Sequence, residues 1–175
     1  MDQNELIEKI TQEVMKRLQA ELARQSSPRA ETEQTTFIAA SDLAKYIDHT
    51  LLKPDAPLTA FDKLCEEAIK YSFKSVCVNS SRVPYVTKKL QGTKVLVCSV
   101  VGFPLGAMDS RAKAFETRRA IEEGAKEIDM VINVGALKSR DLKTVEEDIR
   151  AVRRATRGST VLKVILETHL LILLC

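Results

Sequence analysis

Apolar residues follow two different patterns along the chain, and the change between them separates two regions. Over residues 1–24 they recur at helical spacing with charged residues on the other face, which predicts an amphipathic helix. Residues 25–40 begin with the polar run QSSPRAETEQTT and predict a flexible linker. A helix on a tether cannot bury its own apolar stripe. We therefore expect it to dock on another protein, on its own domain, or on its copy in an oligomer.

From residue 41 onward, short apolar runs alternate with segments of helical periodicity. The pattern predicts strands at about 46–52, 75–78, 94–101, 127–133 and 161–166, and helices at about 59–71, 82–90, 110–123 and 142–156. Apolar strands separated by helices of this length predict βαβ units around a parallel sheet that is buried on both faces. Either a doubly wound sheet or a barrel of alternating strands and helices has this order.

Two further observations favour the barrel. No G-x-G-x-x-G sequence follows the first strand and no Walker motif occurs, which disfavours a nucleotide-binding sheet. Polar residues also gather where the predicted strands run into loops, the place where such a barrel keeps its active site: Asp48, Thr50, Asn79, Asn133 and Glu167. The predicted fold class is therefore α/β, of the (β/α)₈ TIM-barrel type.

Composition and charge exclude several classes of function. The chain has 175 residues, of which 45% are hydrophobic and 29% charged, as expected for one globular domain. The net charge of +3 is well mixed and aromatic residues make up 5%, so we expect no nucleic-acid partner. No apolar run reaches transmembrane length, so no membrane partner is expected. The cysteines are far apart along the chain, and the histidines cannot complete a set of zinc ligands with them: Cys65, Cys77, Cys98, Cys175, His49 and His169. We therefore expect no metal. The cysteines are expected to be the reduced thiols of a cytoplasmic protein.

Asp129 and Lys163 are charged residues that lie inside apolar predicted strands. A buried carboxylate is either a satisfied structural acid, the more common case, or a group kept for chemistry. A desolvated lysine has a lowered pKa, and its neutral amine can attack a carbonyl to form an imine. The residues alone therefore leave two interpretations open. Either Lys163 is the nucleophile of a lysine aldolase with Asp129 moving protons, or the two form an internal ion pair.

Five segments carry a resemblance to a known family: AKYIDHTLLKPDA (44–56), KSVCVNSSRV (74–83), VCSVVGFPLGA (97–107), FETRRAIEEGAKEIDMVINVGALKS (115–139) and LKVILET (162–168). They resemble the deoxyribose-phosphate aldolases, lysine-dependent class I aldolases with a (β/α)₈ barrel. The resemblance implies that about five of the eight β/α units are present in residues 41–175. It also implies cleavage of 2-deoxy-D-ribose 5-phosphate to D-glyceraldehyde 3-phosphate and acetaldehyde, without a metal or redox cofactor.

The resemblance also assigns roles to individual residues. Asp129 matches the family's catalytic aspartate in a proton relay, and Asp48 and Thr50 match polar residues that line the substrate end of the first strand. Cys77 matches a cysteine near the pocket that the chemistry does not require. Lys163 matches a lysine that faces the site but is not the imine-forming residue. The imine-forming lysine of the family belongs to a later K-T-S-T-G motif, and an assisting lysine belongs to a G-F-K-P-A-G-G motif. Neither motif occurs in the 175 residues.

Both ends of the chain depart from the family pattern. After residue 168 the chain reads HLLILLC, which we interpret as a truncated or frameshifted product that is inactive alone. The N-terminal helix and linker resemble an encapsulation peptide of a bacterial microcompartment, which docks on shell or cargo proteins. The alternatives are an aldolase by descent, a non-catalytic remnant that acts as a docking module, and an oligomer of half-barrels in which Lys163 forms the imine. The expected location is the cytoplasm, including the interior of such a compartment.

Overall fold

The computed structural model describes residues 40–156 and 158–171. The predicted docking helix 1–24 lies outside the described residues, as does the predicted linker except for its last residue. That residue, Ala40, is the first residue of a short helix and not part of a linker. The described residues contain no helix that is both long and apolar enough to cross a membrane.

The strands and helices alternate along the described chain as predicted. The strands are β1 (Asp48–Leu51), β2 (Ser75–Asn79), β3 (Leu96–Val101), β4 (Glu127–Val131) and β5 (Val161–Ile165). The α-helices are α1 (Ala40–Leu43), α2 (Leu58–Tyr71), α3 (Val83–Lys89), α4 (Ser110–Glu122), α5 (Val134–Lys138) and α6 (Leu142–Ala155). Single 3₁₀ turns span Ala44–Tyr46, Ser80–Arg82 and Thr168–Leu170.

Side-chain caps explain where three of the helices begin. Asp109 accepts a hydrogen bond from the Arg111 amide at the start of α4, and Asp141 accepts one from the Thr144 amide at the start of α6. Asn133 caps α5 in the same way. The sequence placed Asn133 at the end of a strand and did not predict α5. The helix α2 begins at Leu58, directly after Pro57 and one residue before the predicted start.

The strand order decides between the two folds that the sequence left open. All five strands are parallel and lie in the order β1-β2-β3-β4-β5, so each strand pairs with the next one in the sequence. A doubly wound sheet would reverse its direction at a switch point, whereas a barrel adds each β/α unit on the same side of the last one. The prediction of part of a (β/α)₈ barrel is therefore confirmed.

A side-chain contact shows that the sheet is strongly curved. Lys163 on β5 donates a hydrogen bond to Asp48 on β1. Neighbouring strands lie about 4.8 Å apart, so the two edge strands of a flat five-stranded sheet would be about 19 Å apart, beyond the reach of one lysine. The sheet therefore curves as the wall of a barrel does. We call the side that carries this contact the inner face: Asp48, Ser75, Cys77, Cys98, Val100, Glu127, Asp129, Lys163 and Ile165.

The main hydrophobic core lies on the opposite, outer face. There the strand residues Val76, Val78, Ile128 and Met130 pack against the helices, among them Phe61 of α2. The inner face carries only a small apolar cluster around Cys77, Cys98 and Val100. Burial on both faces, as predicted, holds for β2 and most of β3. It is wrong for the edge strands β1 and β5, whose residues are half-buried or exposed because each has a strand on one side only.

One buried ion pair joins the helices to the sheet. Lys113 on α4 and Asp148 on α6 are both inaccessible to solvent, and Lys113 Nζ lies 2.6 Å from Asp148 Oδ2. The same ammonium donates to the carbonyl of Val131, the last residue of β4, at 2.9 Å. The pair therefore fixes the carboxyl end of β4, the strand that carries Asp129.

Candidate active site

The inner face of β4 presents two carboxylates. Side chains alternate along a strand, so Glu127 and Asp129 share the inner face while Ile128 and Met130 point to the outer core. The side chain of Glu127 is 6% exposed and that of Asp129 is 15% exposed. Burial of two acids on one face requires a positive charge beside them, because an unpaired buried charge is very unfavourable.

Lys163 supplies that charge from the neighbouring strand. Its Cα lies opposite that of Asp129 in the β4–β5 register. Lys163 Nζ is 3.3 Å from Asp129 Oδ1, 3.6 Å from Glu127 Oε2 and 2.5 Å from Asp48 Oδ2. Ser75 Oγ donates a second hydrogen bond to Asp48, at 2.6 Å. One ammonium thus connects three carboxylates from β1 and β4.

The environment keeps Lys163 protonated. Burial alone would lower its pKa, but the hydrogen bond to Asp48 and the charges of Asp129 and Asp48 outweigh burial and raise the pKa above its usual range. Burial alone would likewise raise the pKa of Asp48, but the hydrogen bonds from Lys163 and Ser75 outweigh it and lower that pKa. Of the two interpretations that the residues left open, this environment favours the internal ion pair over the neutral, desolvated amine, because the half-buried Lys163 lies among carboxylates.

Two cysteines extend the inner face beside Asp129. Cys77 and Cys98 lie opposite each other in the β2–β3 register, and Cys98 Sγ is fully buried. The neighbouring Cys77 thiol and burial together raise the pKa of the Cys98 thiol far above its usual range. Cys98 is therefore a thiol in the resting protein, and a thiol this buried does not act as a nucleophile.

A third acid, Glu116 on α4, organises the loops at the carboxyl ends of the strands. Its carboxylate accepts hydrogen bonds from Ser80 Oγ, directly after β2, and from the Gly102 amide, directly after β3. These two contacts are 2.7 and 2.9 Å long, the range of well-formed hydrogen bonds. Glu116 therefore holds together the loops at the end where a barrel of this kind binds its ligands.

The structure brings together most of the residues singled out from the sequence. Asp48, Asp129 and Lys163 form one cluster, and Cys77 lies beside it. Thr50 does not join the cluster, because it is exposed and its hydroxyl donates to the backbone carbonyl of Asp48. Among the other predicted strand-end residues, Asn133 is occupied as a helix cap and Glu167 contacts His169.

Sequence reasoning missed three members of the site: Glu127, Ser75 and Cys98. The spacing of Glu127, two residues before Asp129, was the available signal, since residues i and i+2 of a strand share a face. Ser75 carried the same signal, since it lies two residues before Cys77 on β2. Cys98 carried no such signal, because its neighbours in the site come from other strands and depend on the strand register.

The arrangement suits proton transfer better than nucleophilic attack. Asp129 Oδ1 is buried and accepts no hydrogen bond among the described residues, so it is available to take up a proton. Lys163 is held as a cation and cannot attack a carbonyl while it is protonated. The site as described therefore contains an acid–base group but no activated amine.

Comparison with known proteins agrees with this geometry. The sequence profile of the DeoC/LacD family aldolases matches residues 42–171. The deoxyribose-phosphate aldolase of Finegoldia magna is 62% identical over 130 residues, and that of Clostridium tetani is 55% identical over 130 residues. The tetrameric deoxyribose phosphate aldolase of Aeropyrum pernix superposes with a TM-score of 0.64 at 30% identity.

These similarities cover most of this chain but only part of each relative. The matched segment is 74% of this chain in all three comparisons. It is 61% of the Finegoldia magna protein, 60% of the Clostridium tetani protein and 54% of the Aeropyrum pernix chain. The chain therefore spans little more than half the length of the proteins that it matches.

Proposed function

Because the chain belongs to the DeoC/LacD family of aldolases, we propose that it carries the proton-transfer half of a deoxyribose-phosphate aldolase site. The proposed reaction is the reversible cleavage of 2-deoxy-D-ribose 5-phosphate to D-glyceraldehyde 3-phosphate and acetaldehyde through a lysine imine. The observation that carries the proposal is the buried Asp129, whose Oδ1 accepts no hydrogen bond while lying 3.3 Å from the Lys163 ammonium.

Asp129 is the proposed proton carrier of this reaction. Cleavage of the carbon–carbon bond through an imine leaves an enamine, which must gain a proton at carbon, and the substrate hydroxyl must lose one. A single carboxyl group on the inner face can serve both transfers if it is not locked in strong hydrogen bonds. In the proposed mechanism Lys163 stays an ammonium, holds Asp48 and Asp129 in place, and acts as a positioning residue.

The imine itself is assigned to a different lysine. Lys163 is held protonated by its carboxylate neighbours, which removes the nucleophilic lone pair. The family's K-T-S-T-G motif does not occur in the 175 residues. We therefore propose that imine formation needs the later β/α units of the barrel and that these 175 residues form no imine alone.

The experiment supplies those later units. The chain is co-expressed with the segment of the Finegoldia magna relative that follows its fifth strand, and cleavage of 2-deoxy-D-ribose 5-phosphate is measured. Borohydride trapping with acetaldehyde and mass mapping then locate the imine. We expect activity only when both parts are present, with the adduct on the added segment. The Asp129→Asn variant should reduce kcat by at least about 10²-fold, in line with a general acid–base group.

A matched control separates the loss of a catalytic group from a general loss of charge. Glu122 is exposed on the outer surface of α4 and pairs with Arg119, so Glu122→Gln makes the same chemical change away from the site. This variant should retain the activity of the unchanged pair. An Asp129→Asn protein that cleaves substrate as fast as the Glu122→Gln control would refute the assignment. An adduct on Lys163 would refute the proposed role of that residue.

The sequence of residues 1–24 supports a second function. Its amphipathic pattern and tether resemble a microcompartment docking peptide, and acetaldehyde is a volatile product that such a compartment retains. In this alternative the chain is a non-catalytic docking module located in a bacterial microcompartment. Deletion of residues 1–24 should abolish co-purification with shell proteins, and unchanged co-purification would contradict the alternative.

The proposed partners follow from the same comparisons. We propose a phosphorylated deoxy sugar as the substrate, without a cofactor, and a homo-oligomer in the cytoplasm. The Aeropyrum pernix relative is tetrameric, which supports an oligomer. The molar mass of the chain in solution, measured by light scattering, tests the oligomeric state, and a monomer mass at all concentrations would contradict it.

A further inference from the structure

Two thiols and a carboxylate converge on the inner face. The parallel register places Cys77 directly opposite Cys98, and Asp129 lies on the next strand of the same face. One ligand atom from each of the three residues, the two sulfurs and one carboxylate oxygen, lies within 4.8 Å of the other two. Among the described residues, these three side chains are the group of cysteine, histidine and acidic residues that lie close enough together to hold a metal ion.

Burial distinguishes this set from an ordinary acidic patch. Cys77 is 3% exposed and Cys98 is fully buried. The carboxylate oxygen Asp129 Oδ1 is also buried, and it lies 3.3 Å from the Lys163 ammonium without accepting a hydrogen bond among the described residues. A buried polar atom without a hydrogen bond is uncommon in native proteins. Its lone pairs can therefore serve a cation that competes with the Lys163 ammonium.

We propose that Cys77, Cys98 and Asp129 form a binding site for one thiophilic divalent cation of the Zn²⁺ and Cd²⁺ class. Two sulfur donors select soft or borderline cations over Mg²⁺ and Ca²⁺, which prefer oxygen ligands. Three protein ligands are one fewer than the tetrahedral set of a structural zinc site, so a water molecule completes the coordination. The spacing of up to 4.8 Å requires only that the donors move inward slightly.

The charges around the site balance the cation. Each cysteine loses its thiol proton to solvent as its sulfur binds, so two thiolates replace two thiols around a doubly charged ion. Glu127 and Asp48 add negative charge to the same face, and Lys163 is the neighbouring positive charge. Because Lys163 also contacts Asp48, its ammonium can remain paired when Asp129 turns to the metal.

Occupation of this site removes Asp129 from proton transfer. Zinc-class ions should therefore inhibit the aldolase reaction, and this consequence rests on the proposed function. The binding itself does not, since it depends only on three side chains of this chain. Metal occupancy and enzyme activity are separate measurements, so the failure of one proposal can be distinguished from the failure of the other.

The sequence alone pointed away from a metal. The cysteines are far apart along the chain, without a C-x-x-C pair, and spacing was the only criterion available. The parallel register overrides this separation, because it places residues of consecutive β/α units side by side. The donor set comes from three strands and has no local sequence signature.

The test is a Cd²⁺ titration of the full chain, reduced and freed of metal, followed through the ultraviolet absorption band of cadmium–thiolate bonds. Cys175→Ser serves as the background, since Cys175 lies outside the described residues. We expect a band that saturates at one equivalent. Cys77→Ala and Cys98→Ala should each abolish saturation at one equivalent, and Asp129→Asn should weaken the affinity at least about tenfold.

Cys65 provides the matched control. It is as buried as the two proposed ligands but packs in the outer core, away from the inner face. Cys65→Ala should keep the one-equivalent band, and circular dichroism verifies that every variant is folded. If an alanine variant does not fold, its serine counterpart is titrated instead. An unchanged band in folded Cys98 variants, or loss of the band in Cys65→Ala alone, would overturn the proposal.

Discussion

Removal of the Lys163 charge is the most informative perturbation of this site. Lys163→Met keeps most of the side-chain volume and deletes the ammonium, so three carboxylates lose the cation that they share: Asp48, Glu127 and Asp129. The free energy of unfolding should fall at neutral pH, because like charges then face each other across the inner face without compensation.

The distances and the exposure set the size of the effect. A pair 3.3 Å apart is worth about 5 kcal/mol at an effective dielectric constant of about 20. The Lys163 side chain is 39% exposed, and solvent screening reduces exposed pairs to about 0–1 kcal/mol, while loss of one partner of a buried pair costs about 3–5 kcal/mol. We therefore expect a loss of about 2 kcal/mol, equivalent to a fall in Tm of about 4–8 °C.

The pH dependence of this loss gives a second criterion. The raised pKa of Lys163 means that its stabilisation is complete below the ordinary value of 10.5 and is lost only as the pH rises through the raised value. The lowered pKa of Asp48 means that its stabilisation is complete above 3.8 and is lost as the pH falls through the lowered value. The difference between wild type and variant should be constant from about pH 6 to 9 and shrink below about pH 4, as Asp48 takes up a proton and its pairing with Lys163 is lost.

Urea unfolding at about pH 7.5 and about pH 3 measures both quantities. Lys126→Met is the matched control, because Lys126 is exposed and should change stability by less than about 0.5 kcal/mol. A Lys163→Met protein as stable as the control at neutral pH would refute the electrostatic argument. An equal loss at both pH values would show that side-chain packing, not charge, is responsible.

Two further predictions concern the scaffold around the site. Lys113→Met should lower the free energy of unfolding by about 3–5 kcal/mol, because it leaves the buried Asp148 without a partner. The additional change Asp148→Leu removes that unpaired charge and should restore more than half of the lost free energy. Urea unfolding of both variants measures this, and no recovery in the double variant would contradict the prediction. Gly106→Ala should cost at least about 3 kcal/mol by thermal unfolding, because φ is +65° and an added Cβ would lie 2.0 Å from the carbonyl oxygen of Ile132. Gly92→Ala, with φ +79° and open space around it, should cost only about 1–2 kcal/mol, and equal losses at both glycines would refute the steric argument.

The sequence was most informative where a pattern is local. Apolar runs separated by segments of helical periodicity predicted all five strands of the described residues, because a strand of a parallel sheet carries apolar side chains at consecutive positions. The same logic identified Asp129 and Lys163 as charged residues inside strands, and the register confirms that they lie opposite each other. The short helix α5 was missed because a single capped turn leaves almost no periodicity.

The charge state of the site could not be predicted in the same way. Burial of Lys163 suggested a lowered pKa, yet the structure raises it, because the partner on β1 arrives from the other edge of the curved sheet. No local pattern reports that a residue 115 positions away lies within hydrogen-bonding distance. The adjacency of Cys77 and Cys98 escaped sequence analysis for the same reason.

The hydrogen bond between Lys163 and Asp48 also has a kinetic consequence. It joins residues 115 positions apart, and a contact of this separation closes only after the intervening β/α units have packed, since its loop-closure entropy must first be offset. Such a contact is absent from an early transition state. Its removal should therefore accelerate unfolding and leave the rate of folding nearly unchanged, so that Lys163 and Asp48 prolong the lifetime of the curved sheet once it has formed.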